Sequence, residues 1–182
     1  MYPFIRLLKE AVKFRNATTL KVGENHVSHH ICWPWDLDMW AELNNGRALS
    51  LYDLGRIPLA RRMGLIKVLR REKWGLAVAG TSIRYRRRIR AFDKIEMRSR
   101  LVSWDERFIY LEQGMWVRGE CASHALFRTA VTDRNGIVST KRVMDALGLE
   151  ATAPEMPQWS AAWVDADTKR PWPPMGDTAI TP

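Results

Sequence analysis

Apolar and polar residues alternate through much of the second half of the chain, and this two-residue period is typical of a strand with one buried face. In residues 82–91 apolar side chains alternate with arginines, and residues 94–101 repeat the alternation. Turn residues then delimit two more β-type runs, at 108–115 and 121–132. The pattern predicts a series of antiparallel strands in which the first two are neighbours.

The first half of the chain has one extended segment and then the spacing of a helix. Residues 19–35 mix β-branched, aromatic and polar types and predict a strand. Asn44 and Asn45 are good helix caps, and apolar residues at helical spacing follow them. A central helix is therefore predicted to begin there.

Proline and glycine set the expected ends of the helices. Pro58 predicts that the central helix ends or kinks near residue 56, and that a second helix runs on through residues 59–69 with an interruption at Gly64. A further capped helix is predicted over residues 139–147, ended by Gly148.

Two terminal segments flank this pattern. Residues 1–18 combine apolar and basic residues at helical spacing, without the uninterrupted apolar region of a signal peptide. We expect this amphipathic helix to pack on the domain rather than on lipid, although such helices can contact a membrane surface. Residues 151–182 are rich in proline and tryptophan and predict irregular structure, with Trp159, Trp163 and Trp172 pinning the tail onto the domain or across a subunit interface.

Composition supports one folded domain, which we place at residues 19–150. The chain has 182 residues, 46% of them hydrophobic, and this is enough to bury a core without disulfides. Its two cysteines exclude a disulfide framework and fit a reducing cytoplasm. No run approaches the roughly 20 apolar residues that cross a bilayer. The net charge of +9 points to anionic partners: nucleic acid, anionic lipid or a phosphate-bearing small molecule.

The order of a strand, a central helix and a run of antiparallel strands predicts an α+β domain. Residues 35–47 carry D-x-D (Asp36, Asp38) followed by two asparagines (Asn44, Asn45). This resembles the start of the central helix in hotdog-fold acyl-CoA thioesterases of the 4-hydroxybenzoyl-CoA thioesterase-like superfamily. Residues 82–87, 92–93 and 104–113 resemble the branch of thioesterase superfamily member 6-like proteins. The resemblance spans roughly residues 27–148 and implies a hotdog fold, an antiparallel β-sheet wrapped around a central α-helix.

The resemblance also implies a function and an assembly. It implies hydrolysis of an acyl thioester carried by CoA or an acyl carrier protein, without a cofactor or a metal. The active sites would lie at the interface of a homodimer or of a dimer of dimers. Asp38 is the counterpart of the catalytic carboxylate, and a backbone N–H near Asn45 would polarise the thioester carbonyl. Glu42 stands where many relatives have the histidine of H-x-N-N, so a mechanism that relies on that histidine does not carry over.

Thioester hydrolysis needs a carboxylate nucleophile or an activated water, together with hydrogen-bond donors at the developing oxyanion. Asp38 can attack the carbonyl or act as general base, and Glu42 is a second candidate for the base. Asn44 or Asn45 can position the substrate or water. The alternative interpretation is that Asp36, Asn44 and Asn45 only cap the helix and its preceding turn.

Arginines form the second candidate site. Arg84, Arg86, Arg88 and Arg90 would share one strand face, and with the arginines at positions 98 and 100 they could bind the phosphates of CoA at a subunit edge. The alternative is a solvated outer sheet face. No recognised nucleic-acid-binding motif accompanies the row, so we expect no nucleic-acid partner.

Other polar clusters give weaker hypotheses. His26, His29 and His30 are close in sequence, but on a strand His29 points away from the other two, so we expect no metal site. Cys121 and His124 would lie on opposite faces of a strand, which predicts a buried structural cysteine rather than a nucleophile. Two rival functions stay open: an acyl-thioester- or lipid-binding protein without turnover, and a basic nucleic-acid-binding module.

Overall fold

The computed structural model describes residues 2–150, 152–171 and 173–174. Across these residues the strands are β1 (His26–Ile31), β2 (Gly75–Tyr85), β3 (Lys94–Trp104), β4 (Ile109–Val117), β5 (Glu120–Asp133) and β6 (Gly136–Ile137). The helices are α1 (Phe4–Lys13), α2 (Asn45–Arg62), α3 (Leu65–Glu72), α4 (Thr140–Leu147) and α5 (Gln158–Thr168). Helix α4 begins after Ser139 and ends at Gly148, as predicted.

The strands form one antiparallel sheet in the order β1-β3-β4-β5-β2, with β6 paired to β5. The predicted alternation is confirmed along β3, where Ile95 and Met97 are buried while Lys94 and Arg98 are exposed. The prediction that the first two strands of the second half are neighbours is wrong, because β4 and β5 lie between β3 and β2. The chain therefore crosses from one edge of the sheet toward the other between β2 and β3.

The predicted strand over residues 82–91 is also wrong in its extent. Strand β2 begins earlier, at Gly75, and ends at Tyr85. Beyond it the backbone N–H groups of Arg86 and Arg87 both donate to the carbonyl of Ala122, at 2.8 and 3.1 Å. Because both N–H groups donate to one carbonyl, the regular hydrogen-bond pattern between β2 and β5 ends here and the chain leaves the sheet.

Helix α2 packs on the sheet through a fully buried face that includes Leu51, Tyr52 and Leu54. Gly55 sits where the helix comes closest to the strands. A Cβ there would lie 2.6 Å from the Sδ of Met97 and 2.9 Å from the Nε2 of Gln113. The helix position is therefore set by the absence of a side chain at residue 55, in the α+β arrangement that the sequence predicted.

The prediction that α2 ends near residue 56 is wrong, since the helix continues through Pro58 to Arg62. Proline removes one helical hydrogen bond and costs about 3 kcal/mol in a helix interior. Pro58 is buried together with Leu54 and Leu59 of the same helix, and this burial outweighs that cost. The predicted interruption at Gly64 is confirmed: its φ of 85° ends α2, and α3 starts at the next residue.

The expected irregular tail contains a helix, α5. Trp159 packs its ring 5.0 Å from that of His124, and Trp163 lies against the guanidinium of Arg128, so both pin the tail onto the sheet. Trp172 lies outside the described residues. Toward the start of the chain, the predicted strand over residues 19–35 is reduced to β1, and Pro34 begins a short 3-10 turn after it.

Helix α1 docks on the domain, as expected, through contacts to α2. The hydroxyl of Tyr2 donates to Asp53 at 2.9 Å, and the guanidinium of Arg61 donates to the carbonyl of Ala11 at 2.8 Å. No helix in the described part of the chain is both long enough and apolar enough to span a membrane.

Candidate active site

The segment before α2 forms a tight turn, residues 37–43, which we call the aspartate turn. Leu37 and Leu43 form an isolated antiparallel bridge at its base. Within it the N–H of Asp38 donates to the carbonyl of Glu42 at 2.8 Å, and Ala41 has a positive φ of 57°. This geometry presents Asp38 next to the start of the central helix.

The Asp38 carboxylate is fixed through one of its two oxygens. Its Oδ1 accepts the backbone N–H of Trp40 at 2.8 Å and that of Glu42 at 3.3 Å. Its Oδ2 accepts no hydrogen bond from the described residues. The turn thus orients the carboxylate and leaves one oxygen available for a reaction, in a partly exposed position.

The neighbouring Asp36 is fully buried and fully paired. The guanidinium of Arg47 donates to its Oδ1 at 2.6 Å, that of Arg6 lies 2.8 Å from its Oδ2, and the N–H of Trp33 donates at 3.0 Å. Burial alone raises the pKa of Asp36, but the hydrogen bonds from Arg47, Trp33 and Arg6 outweigh burial and hold that pKa below its usual value. The first aspartate of D-x-D is therefore structural.

The two asparagines differ in their surroundings at the start of α2. Asn44 is the N-cap of α2: its Oδ1 accepts the N–H of Arg47 at 3.1 Å. That side chain is used in the helix cap rather than being open to substrate. Asn45 is exposed, and neither its N–H nor that of Gly46 has an acceptor among the described residues. Such free donors at a helix N-terminus form an anion site.

Residues 86–90, which follow β2, form a basic segment that we call the arginine loop. The N–H of Leu43 donates to the carbonyl of Ile89 at 2.8 Å, and the guanidinium of Arg88 lies 2.9 Å from the carboxylate of Glu42. These two contacts fasten the loop to the aspartate turn. Glu42, the second candidate base, is therefore occupied by an arginine.

The arginine loop lines a groove of about 660 Å³. Five guanidinium groups and two carboxylates contribute to its wall: Arg86, Arg87, Arg88, Arg90, Arg118, Asp93 and Glu120. The excess of positive charge suits a ligand with several phosphates. Arg118 was not foreseen in the sequence; it reaches the groove because it and Gly119, both with positive φ, form the turn between β4 and β5.

The predicted arginine row on one strand face is wrong. Arg84 belongs to β2, where it is exposed opposite His124, whereas Arg86 and Arg88 lie beyond the strand end. The arginines of β3 are engaged elsewhere, Arg98 with Glu96 and Arg100 with Glu112. Of the three arginines expected to bind substrate, Arg86 and Arg88 line the groove and Arg84 does not.

Exposed aromatic and apolar side chains surround the aspartate turn. Met39 and Trp40 at its tip are 85% and 72% exposed, and Trp35 at its base is 68% exposed. Trp35 stacks on Trp33, and Phe92 meets Trp33 edge to face. The patch offers an apolar surface directly beside Asp38.

The histidines lie as the strand period predicts, with His26 and His30 buried and His29 exposed. Burial, reinforced by nearby cations, lowers the pKa of His26 to about 4 and that of His30 to about 3, so both are neutral at physiological pH. Within the described residues no group of histidine, cysteine or acidic side chains could hold a metal ion. Cys121, expected to be buried, is half-buried, and burial raises the pKa of its thiol.

A family model described as the thioesterase-like superfamily matches residues 32–164. Among curated proteins, Protein THEM6 from Danio rerio is 41% identical over 78 residues, covering 43% of this chain and 39% of its own. Protein THEM6 from Xenopus laevis is 34% identical over 111 residues, covering 60% of this chain and 54% of its own. The matches thus span about half or less of the length of these two relatives.

Solved structures share the fold. The probable thioesterase YbaW from Escherichia coli has a TM-score of 0.62 and 17% identity, over 66% of this chain and 95% of its own. The DHNA-CoA thioesterase from Staphylococcus aureus has a TM-score of 0.59 and 11% identity, over 79% of this chain and 91% of its own. The predicted hotdog fold is confirmed by these likenesses.

Proposed function

The chain belongs to the thioesterase-like superfamily, and from that premise we propose that it hydrolyses an acyl thioester such as an acyl-CoA. One observation carries the proposal beyond the family. The aspartate turn, the free N–H groups of α2 and the cationic groove lie together, because the Leu43 N–H bonds the carbonyl of Ile89. A carboxylate, an oxyanion site and a phosphate site are thereby joined.

Asp38 is the proposed catalytic carboxylate. Its Oδ2 can attack the thioester carbonyl, releasing the thiolate and forming a mixed anhydride that water then hydrolyses. Alternatively it takes a proton from water as the water attacks. Both routes use Oδ2 of Asp38. In both, the backbone N–H groups of Trp40 and Glu42 hold the carboxylate in place through Oδ1.

The negative charge that develops on the carbonyl oxygen needs donors that are already in place. The N–H groups of Asn45 and Gly46 are the proposed donors, since they open α2 without an acceptor and carry the positive end of its dipole. Asn45 thus contributes through its backbone, and Asn44 through the cap that holds the helix end.

The proposed CoA site is the groove beside the arginine loop. CoA is polyanionic, and arginine forms paired hydrogen bonds with phosphate oxygens. Arg86 and Arg88 are the expected contacts, with Arg90 and Arg118 as additional ones. An acyl carrier protein would place its phosphopantetheine arm in the same groove.

We also propose a homodimer formed through β2. Among the described strands β2 pairs with β5 alone, and most of its residues, including Leu76 and Val78, are exposed. A long open edge of this kind is a ready pairing partner for a second sheet. A second copy placed there would extend the sheet.

The test is thiol release from short, medium, long and aromatic acyl-CoAs by the native protein and by Asp38→Asn and Glu42→Gln variants. We expect turnover by the native protein, a loss of at least about 100-fold with Asp38→Asn, and a small effect with Glu42→Gln. Circular dichroism checks that each variant is folded. Full activity in Asp38→Asn would refute the site.

A second candidate is an acyl-thioester-binding protein without turnover. It is favoured by Glu42, which replaces the family histidine and is held by Arg88. This function predicts that acyl-CoA binds, as measured by calorimetry, while no thiol is released from any member of the panel.

A further inference from the structure

Helix α1 meets the domain mainly with polar side chains, together with Leu7, which packs against the core. Arg6 is mostly buried and lies 2.8 Å from the carboxylate of Asp36, and Glu10 on the next turn is fully buried. At the end of the helix Phe14 packs edge to face on His26, at 4.5 Å between ring centroids. An ordinary surface helix would turn its apolar residues inward instead.

Four apolar residues of α1 lie on the opposite side of the helix and are exposed. Phe4, Ile5, Leu8 and Val12 are 69%, 86%, 65% and 55% exposed, and helical spacing places them on one arc. Single exposed apolar residues are common, but a contiguous group on one helix marks an interaction surface.

Positive charge borders this arc. Lys9 and Lys13 are exposed along one side of it, and Arg15 is exposed beyond its C-terminal end. Between α1 and β1 lies a cleft of about 420 Å³, lined by Arg6, Lys9 and Lys94 and opposed by the buried carboxylate of Glu10. Exposed apolar residues and cations thus occur side by side on α1.

We propose that α1 binds the surface of a bilayer containing anionic phospholipids. Phe4, Ile5, Leu8 and Val12 insert between the headgroups while Lys9 and Lys13 contact the lipid phosphates. This combination of an apolar arc and a basic border is the pattern of a helix that lies in the membrane interface. The polar contacts on the other side keep α1 on the domain, so the whole protein is held at the surface.

Vesicle flotation of the full chain tests the proposal. The vesicles are phosphatidylcholine alone or with about 30 mol% phosphatidylserine. We expect partitioning into the anionic vesicles to exceed that into neutral ones by about tenfold or more, and to fall with added salt. An Ile5→Ser, Leu8→Ser variant should lose about tenfold or more, because its apolar insertion is removed.

Charge variants separate a specific surface from the general positive charge. Lys9→Glu with Lys13→Glu should reduce binding by about tenfold or more, whereas Lys67→Glu with Arg70→Glu, exposed on α3, changes the net charge equally and should alter binding by less than about twofold. Equal losses in the two pairs would overturn the proposal. So would absent vesicle binding, or a vesicle-free oligomer that Ile5→Ser, Leu8→Ser dissociates, since a second copy would then cover the arc.

Discussion

The surroundings of Asp36 and Asp38 differ sharply, although only one residue separates them in the sequence. Asp36 is buried, and both of its oxygens are paired with arginines from other parts of the chain. Asp38 is partly exposed, and only backbone donors of its own turn hold it, through one oxygen. A carboxylate that is fully satisfied stabilises the fold, whereas one that is oriented but incompletely satisfied is available for chemistry.

The largest expected effect is on stability, from Asp36→Asn. The change removes the buried negative charge that the guanidinium groups of Arg6 and Arg47 contact, and breaking a buried pair costs about 3–5 kcal/mol. Urea denaturation measures it. The matched control is Asp38→Asn, whose side-chain oxygen can still accept from the turn and which should cost less than about 1 kcal/mol. Equal losses would remove the distinction between the two aspartates.

The pH dependence sharpens the same distinction. Because the pKa of Asp36 is lowered in the folded protein, its contribution to stability is present above the unfolded-state pKa and is lost as the pH falls through the folded-state value. Urea denaturation of native protein from neutral pH to about pH 3 should show this loss, with a slope of at most about 1.4 kcal/mol per pH unit from this group. Asp36→Asn should have a shallower acid dependence; an unchanged one would contradict the assignment.

The arginine loop gives a smaller, kinetic prediction. Arg86→Ala should raise KM for acyl-CoA by about tenfold with little change in kcat, because it removes a phosphate contact and not a catalytic group. The same variant should process an acyl thioester that lacks phosphates as well as the native protein does. Arg84→Ala, outside the groove, is the control. An equal rise of KM in that variant would show that the overall positive charge, and not the groove, attracts acyl-CoA.

Substitution of Glu10 should have the smallest effect on stability, and it should stabilise the protein rather than destabilise it. Its carboxylate is buried like that of Asp36, but neither oxygen has a hydrogen-bond partner among the described residues, and burial raises its pKa. Glu10→Gln removes a buried charge and should therefore stabilise the protein at neutral pH by about 1 kcal/mol. Thermal unfolding measures it; a destabilised variant would show that Glu10 has an unrecognised partner.

The sequence predicted the elements of the fold better than their ends. The alternation in β3 was read correctly because its buried residues face one core. In the arginine loop the same pattern misled: Ile89 is buried although it lies outside any strand, so the alternation continues past the point where β2 ends. Pro58 led to a predicted helix end that is too early, since tertiary packing overrides the local cost of a proline inside the helix.

The candidate site was predictable only in part. The motif pointed to Asp38 and Asn45 as site residues, and these assignments stay predictions. It set Asp38 apart from Asp36 only by resemblance, because the neighbouring residues do not show the physical cause of that separation. That separation depends on Arg6, thirty residues earlier in the chain, and on Arg47. Arg118 joins the groove through the β4–β5 turn, a juxtaposition made by the sheet and not by nearness in sequence.

The close approach at Gly55 has a consequence for redesign. Because no side chain fits between α2 and the sheet at that point, residue 55 must stay glycine for the helix to keep its position on the sheet. Attempts to gain space by moving α2 would therefore disrupt the fold. Met39 and Trp40, which are exposed in the aspartate turn, are positions where side chains can be exchanged without displacing the core.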